Sequence, residues 1–148
     1  YRKAMQVPNV DPRVKAQAEG FLRDTEESVA YDIYSKGLEM LDEAKRLKGE
    51  AQKKKALEVA KYFENLIQKY PDTTSADIAY IQVGTAYELM EDWEKALKAY
   101  EALRTKYVDK TTGKQIIPDS DSVIKALDYA TQRYALVYQY YISTKEKK

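Results

Sequence analysis

Four short stretches hold side chains of the kinds that do chemistry. Glu88, Glu91, Asp92 and Glu94 crowd carboxylates around one turn. Paired carboxylates serve as acid and base when a pocket pushes their proton affinities apart. Nothing around these four predicts a pocket, and helix capping and dipole roles account for them. Thr111-Thr112-Gly113-Lys114 has the Gly-Lys step of a phosphate-binding loop. It lacks the earlier glycine and the hydroxyl residue after lysine that such a loop needs, so it reads as a polar turn. Asp119-Ser120-Asp121-Ser122 alternates oxygen ligands but has neither the glycine nor the closing glutamate of a calcium loop. Helix-start chemistry explains it. Lys53-Lys54-Lys55 could meet phosphate or acidic lipid, and reads instead as a solvated helix face.

The residues that are missing narrow the chemistry further. The chain of 148 residues contains no His and no Cys. That removes the commonest general base, the commonest transition-metal ligands, thiol nucleophiles and disulfides. The expectation is a non-catalytic protein with no cofactor and no metal. Charges nearly cancel at +1, without the basic excess of a nucleic-acid binder, so no nucleic-acid partner is expected. No apolar run approaches the roughly 18 residues of a membrane span, so no membrane insertion is expected in this segment. The chain begins at Tyr1 and not at Met, which leads us to expect a processed or excised piece, with any signal peptide or lipid anchor outside it. Tyr is abundant, with 14 residues against 2 Phe. An apolar body with a polar tip suits half-buried groove walls.

Helical periodicity runs through the chain, and strand signals are negligible. Asp11-Pro12 has the form of a cap followed by Pro in the first turn, and predicts a helix over 12–24. Thr25 has the chemistry of a second cap, followed by a helix to about Leu47, with Gly49 marking its end or a bend. Further helices are predicted over 53–69, over 75–90 after Thr74 and Asp77 in capping-box spacing, over 93–107 after Asp92, and from Asp119 or Ser120 towards Ser143. Residues 108–118 form a loop. The fold class is all-α, with about five to six helices.

These helices repeat. At a period of 37, Phe63, Leu66, Lys69 and Tyr70 match Tyr100, Leu103, Lys106 and Tyr107. Tyr31, Tyr34, Ser35 and Leu38 match Tyr80, Val83, Gly84 and Tyr87, and these match Leu127, Ala130, Thr131 and Tyr134. The third place of each set is small, which predicts close helix approach at Ser35, Gly84 and Thr131, with Ala96 as the small partner of Gly84. On these residues the chain resembles the tetratricopeptide repeats. Tyr80, Val83, Gly84, Tyr87, Ala96 and Tyr100 fall on that family's pattern of bulky, apolar, small, aromatic, small and aromatic positions. Its terminal proline is present as Pro71 in the earlier unit and replaced by Val108 in the later one. The resemblance implies an α-solenoid of antiparallel helix pairs wound into a right-handed superhelix. It would comprise an N-terminal cap or half-repeat at 1–25, a lengthened unit at 26–73, the best-matching unit at 74–110, a loop at 111–118, and the first helix of a third unit or a capping helix at 119–148. Tyr70-Pro71-Asp72 is similar to the repeat ends of bacterial cell-envelope members, the outer-membrane lipoproteins and Tol-Pal-associated periplasmic proteins. This implies a periplasmic or cell-envelope location, with a cytoplasmic one as the alternative.

Members of that family bind peptides in the concave groove lined by the first helix of each pair. The resemblance therefore implies a protein or peptide partner held by Val29, Asp32, Lys36 and Glu39, by Ile78, Ile81, Thr85 and Glu88, and by Lys125, Asp128, Gln132 and Ala135. Ile81, Thr85, Asp128 and Gln132 replace the Lys and Asn pairs that clamp a C-terminal carboxylate in chaperone-binding members, so that specialised function is not expected. Tyr138, Tyr140 and Tyr141 spread around the last helix and predict further contacts there, with self-association as one outcome. The alternative to partner binding is a purely structural or self-associating segment of a larger assembly.

Overall fold

A computed structural model describes residues 11–146; the first ten residues of the predicted N-terminal segment and the last two of the C-terminal one lie outside the described residues. The described residues form five α-helices: α1 (Pro12–Arg46), α2 (Gly49–Lys69), α3 (Thr74–Leu89), α4 (Trp93–Lys106) and α5 (Asp121–Glu146). The all-α expectation holds. The predicted break at Thr25 does not, because α1 runs unbroken through it. The Thr25 hydroxyl donates back to the Phe21 carbonyl at 2.9 Å, one turn earlier. This local bond is open to a threonine inside a helix as well as before one. Asp11 does cap α1, accepting from the Arg13 amide at 2.8 Å.

The connections follow from cap chemistry. Thr73, and not Thr74, caps α3, its hydroxyl accepting from the Ala76 amide at 3.1 Å. The predicted capping-box partner Asp77 instead accepts from Lys106 and Tyr107. Glu27 of α1 reaches the same helix start and accepts from the Thr74 amide at 2.9 Å, a carboxylate at the positive end of a helix. After α3 the chain turns on Glu91, which holds the left-handed φ of 58°. The Asp92 amide donates to the Tyr87 carbonyl and the Glu91 amide to the Glu88 carbonyl, so two otherwise unpaired carbonyls of α3 are satisfied. Asp92 then caps α4 as expected, accepting from the Lys95 amide. The loop after α4 is more ordered than a plain turn. Val108 and Gln115 form a bridge, and the Asp109 side chain collects the amides of Thr111 and Thr112. The Thr111–Lys114 stretch is the tip of this turn.

Packing sets the helices in two layers. α1, α3 and α5 lie side by side with α3 in the middle, while α2 sits behind α1 and α3, and α4 behind α3 and α5. α2 and α4 do not pack on each other, nor do α1 and α5. The core runs through both layers and is built on Leu41, Val59, Phe63, Tyr100, Leu103, Val123 and Val137. Two glycines set the distance between layers. A Cβ on Gly84 would lie 2.4 Å from the Tyr100 ring, and a Cβ on Gly37 would lie 2.5 Å from the Phe63 ring. Phe63 and Tyr100 of the rear layer are each pressed against bare backbone in the front layer. This corrects two expectations. The counterpart of Gly84 in the first unit is Gly37 and not Ser35, two residues further on. What Gly84 admits is the Tyr100 ring, while Ala96 is simply buried in the core.

Candidate functional site

Glu88 of α3 is held by side chains from two neighbouring helices. Arg133 of α5 donates from Nε to both of its carboxylate oxygens at 2.9 Å, and from Nη2 to Oε1. Tyr100 of α4 donates its hydroxyl to the same carboxylate at 2.5 Å. One side chain of α3 thus ties α4 and α5 together. The Glu88 hydrogen bond pushes the Arg133 guanidinium further up, and burial together with the Glu88 carboxylate pushes the Tyr100 phenol well above its ordinary value. At the other end of α3, Asp77 accepts from Lys106 Nζ at 2.5 Å and from the Tyr107 hydroxyl. Lys106 also donates to the Pro71 carbonyl. Both carboxylates have their oxygens engaged as struts between helices, which suits fixing geometry rather than exchanging protons. The carboxylates near Glu88 divide likewise: Asp92 is a cap, Glu94 pairs with Lys98 on the surface and Glu91 makes the turn. Among the described residues, no group of three or more acidic residues is placed to hold a metal ion.

The strip of α3 left between α1 and α5, which do not pack on each other, is the candidate binding channel. Its floor is the line predicted from the sequence, Ile78, Ile81 and Thr85, continued by Leu89. Ile78, Thr85 and Leu89 are half-buried. Ile81 is only 8% exposed and belongs to the core, because α3 is flanked on both sides; the expectation that it holds a partner is corrected. Glu88, expected to hold the partner, is spent on Arg133 and Tyr100.

The walls differ from those expected. α1 meets α3 through Glu27 and through Tyr34, whose hydroxyl accepts from Gln82 at 3.0 Å. At 3.6 residues per turn, Tyr31 and Leu38 share that edge, whereas Val29, Asp32, Lys36 and Glu39 lie roughly 150° round the helix, facing solvent away from α3. The misplacement follows from aligning Ser35 instead of Gly37. On α5, Lys125, Asp128, Gln132 and Ala135 are exposed, but none lines the space beside Thr85 and Glu88, and Asp128 borders a hollow with Arg104 of α4 instead. The edge of α5 beside α3 carries Tyr129, Arg133 and Tyr140, which enclose a cavity of about 350 Å³ with Thr85, Glu88, Leu89 and Trp93. Tyr31 is 63% exposed and Tyr129 45% exposed, so each wall presents an aromatic ring to solvent.

On the opposite side, the gap between α2 and α4 forms a cleft of about 540 Å³. Its floor is Tyr80, Val83 and Tyr87 of α3, and its sides include Ile67 and Ala102, with Lys61, Lys95 and Lys98 at the mouth. Tyr87 donates to Glu64 at 3.0 Å across it. The sequence reading assigned Tyr80, Val83 and Tyr87 to helix packing alone. The missed signal is that no residue of α4 large enough to fill the gap faces Ile67; Ala99 and Ala102 stand there.

Compared with family models, curated proteins and solved structures, the chain has no match. No helix among the described residues is long and apolar enough to cross a membrane.

Proposed function

We propose that the chain is a non-catalytic protein-binding module, a repeat array of tetratricopeptide type, that receives a peptide segment of a partner in the channel over α3. The observation that carries this reading is a pair of exposed aromatic residues, Tyr31 on α1 and Tyr129 on α5, on the two helices that flank half-buried Ile78, Thr85 and Leu89 of α3. Aromatic side chains with a polar tip are the residues that anchor partners, and they lose little conformational freedom on binding. The Glu88, Arg133 and Tyr100 network keeps one wall at a set distance from the floor. The repeated contact of Gly37 with Phe63 and Gly84 with Tyr100 supports the repeat reading. A cell-envelope location belongs to the same proposal and rests on the Tyr70-Pro71-Asp72 turn.

The test is selection of binders from a random peptide library, followed by affinity measurement on variants. Tyr31→Ala with Tyr129→Ala is expected to weaken selected peptides by roughly tenfold or more, about 1.4 kcal/mol. Lys61→Glu with Lys98→Glu, at the mouth of the α2–α4 cleft, is expected to leave them unchanged. The reverse pattern would move the site to the cleft. A library that enriches no binder would count against partner binding itself.

A further inference from the structure

We infer that the cleft between α2 and α4 binds a small amphipathic anion, one acidic head on a short apolar tail, independently of the channel over α3. The cleft exists because the two rear helices stand apart. No Cα of α2 comes within 8 Å of one of α4, and both helices pack on α3. Tyr80, Val83 and Tyr87 are spaced by three and four residues, so they form one stripe of α3 that floors the gap. Ile67 of α2 and Ala99 and Ala102 of α4 complete an apolar lining. The Tyr87 hydroxyl donates to Glu64 at 3.0 Å and braces the α2 wall against the floor. A volume of about 540 Å³ falls within the roughly 300–1,000 Å³ of small-molecule sites, which are lined mainly by apolar groups with a few polar ones.

Charge defines the head of the ligand. Lys61, Lys95 and Lys98 stand at the mouth against one lining carboxylate, Glu64, which already accepts from Tyr87. Lys61 has no ion-pair partner among the described residues. Lys95 lies 3.9 Å from Asp92 and Lys98 3.5 Å from Glu94. Such exposed pairs contribute little and exchange readily, and neither of these acids lines the cleft. Lys95 Nζ also lies 5.7 Å from the centre of the Tyr87 ring, over the floor. An ammonium is a compact point charge, without the planar fork by which arginine reads the shape of an oxyanion. Three lysines therefore select a negative head, carboxylate or phosphate alike. Length defines the tail. Each wall spans seven residue steps, 61–68 and 95–102, which is roughly 10 Å at 1.5 Å per residue. An extended peptide would cover that in about three residues at 3.3 Å each. The cleft suits one short tail and not a length of polypeptide.

Octanoate, titrated into the unmodified chain by calorimetry below its micelle concentration, is expected to saturate at one per chain. It is expected to bind roughly fivefold or more tightly than octanol, while acetate and inorganic phosphate, which have no tail, show no saturable binding. Equal affinity for octanoate and octanol overturns the role of the lysines. Equal affinity for octanoate and acetate overturns the role of the apolar floor. Octyl phosphate is expected to bind as well, and the tighter of the two identifies the head; its refusal overturns selection by charge. Lys61→Gln with Lys98→Gln is expected to weaken octanoate by roughly fivefold and to leave octanol unchanged, with the difference shrinking at high salt. Lys53→Gln with Lys54→Gln, exposed on α2 outside the cleft, should change neither. Equal effects of the two pairs overturn the site. Ala102→Leu fills the cleft and is expected to abolish binding, and a variant that stays helical by circular dichroism and binds as before overturns the site too. The lysine pairs decide the matter even if Ala102→Leu fails to fold. No saturable binding of either octanoate or octyl phosphate up to millimolar concentration overturns the inference. Tyr31→Ala with Tyr129→Ala is expected to leave octanoate binding unchanged, so failure here and failure of the channel reading are told apart.

Discussion

Two side-chain arrangements decide how this chain packs, and each makes a prediction. The first is the contact of an aromatic ring with a bare α-carbon, at Gly37 with Phe63 and at Gly84 with Tyr100. Alanine is the better helix former, yet its methyl group would overlap the ring. Gly84→Ala is therefore expected to destabilise by about 1–3 kcal/mol, the usual cost of overpacking. In the background of Tyr100→Leu the same change should cost less, and a thermodynamic cycle measured by urea unfolding would give that coupling. A Gly84→Ala protein as stable as the parent would remove the close-contact account. The second arrangement is phenols bonded to carboxylates. Burial first, then the Glu64 hydrogen bond and nearby charges, push Tyr87 up to about 12 from 10.0. Burial and the facing carboxylates also raise Tyr100 and Tyr107. A group whose folded value is raised contributes stability that is fully present below its unfolded value and lost as pH climbs through the folded one. Stability should thus hold up to about pH 10 and fall between about 10 and 12 for the Tyr87 part. Thermal melts across that range, with Tyr87→Phe flattening part of the slope, are the measurement. A flat profile would show that these phenols ionise alike in both states.

At the scale of the helix, the sequence made most elements readable because amphipathic periodicity and caps act locally. Asp11-Pro12 and Asp92 do what their types predict. Thr25 shows where local chemistry is ambiguous. Threonine bonds to backbone inside a helix as readily as before one, and the packing of Ala30, Gly37 and Leu41 against the neighbouring helices carries α1 through it. Thr25→Ala separates the two roles: a lost cap costs about 1 kcal/mol, while a helix-interior alanine is neutral or gains a few tenths. We expect the second outcome, read by thermal denaturation. The channel was half legible for the same reason. Its floor on α3 follows from the spacing of Ile78, Ile81 and Thr85. The α1 wall depends on which small residue meets Phe63, and the lengthened first unit hides that, since Gly37 stands farther from Phe63 in sequence than Gly84 does from Tyr100. The Glu88 link to Arg133 spans 45 residues, beyond the reach of any local pattern.

For the molecule as a whole, the relevant feature is that α3 packs on each of the other four helices while the outer ones stay apart across it. Seen as a folding problem, this makes the five helices a chain of neighbours with one shared member. Most contacts are between elements close in sequence, so formation should be fast, but neither side has a finished core until α3 is seated. Amide hydrogen exchange offers a direct reading. The slowest amides should cluster in the middle of α3, around Ala79 to Ala86, at rates set by global unfolding, while the ends of α1 and α5 exchange through partial openings. Faster exchange in α3 than in α2 and α4 would refute this. The consequence reaches the way such a molecule fails. A lesion in α1 or α5 peels away one side and leaves the other folded, but a lesion in α3 has no partial outcome, because among the described residues no helix of one side packs on a helix of the other.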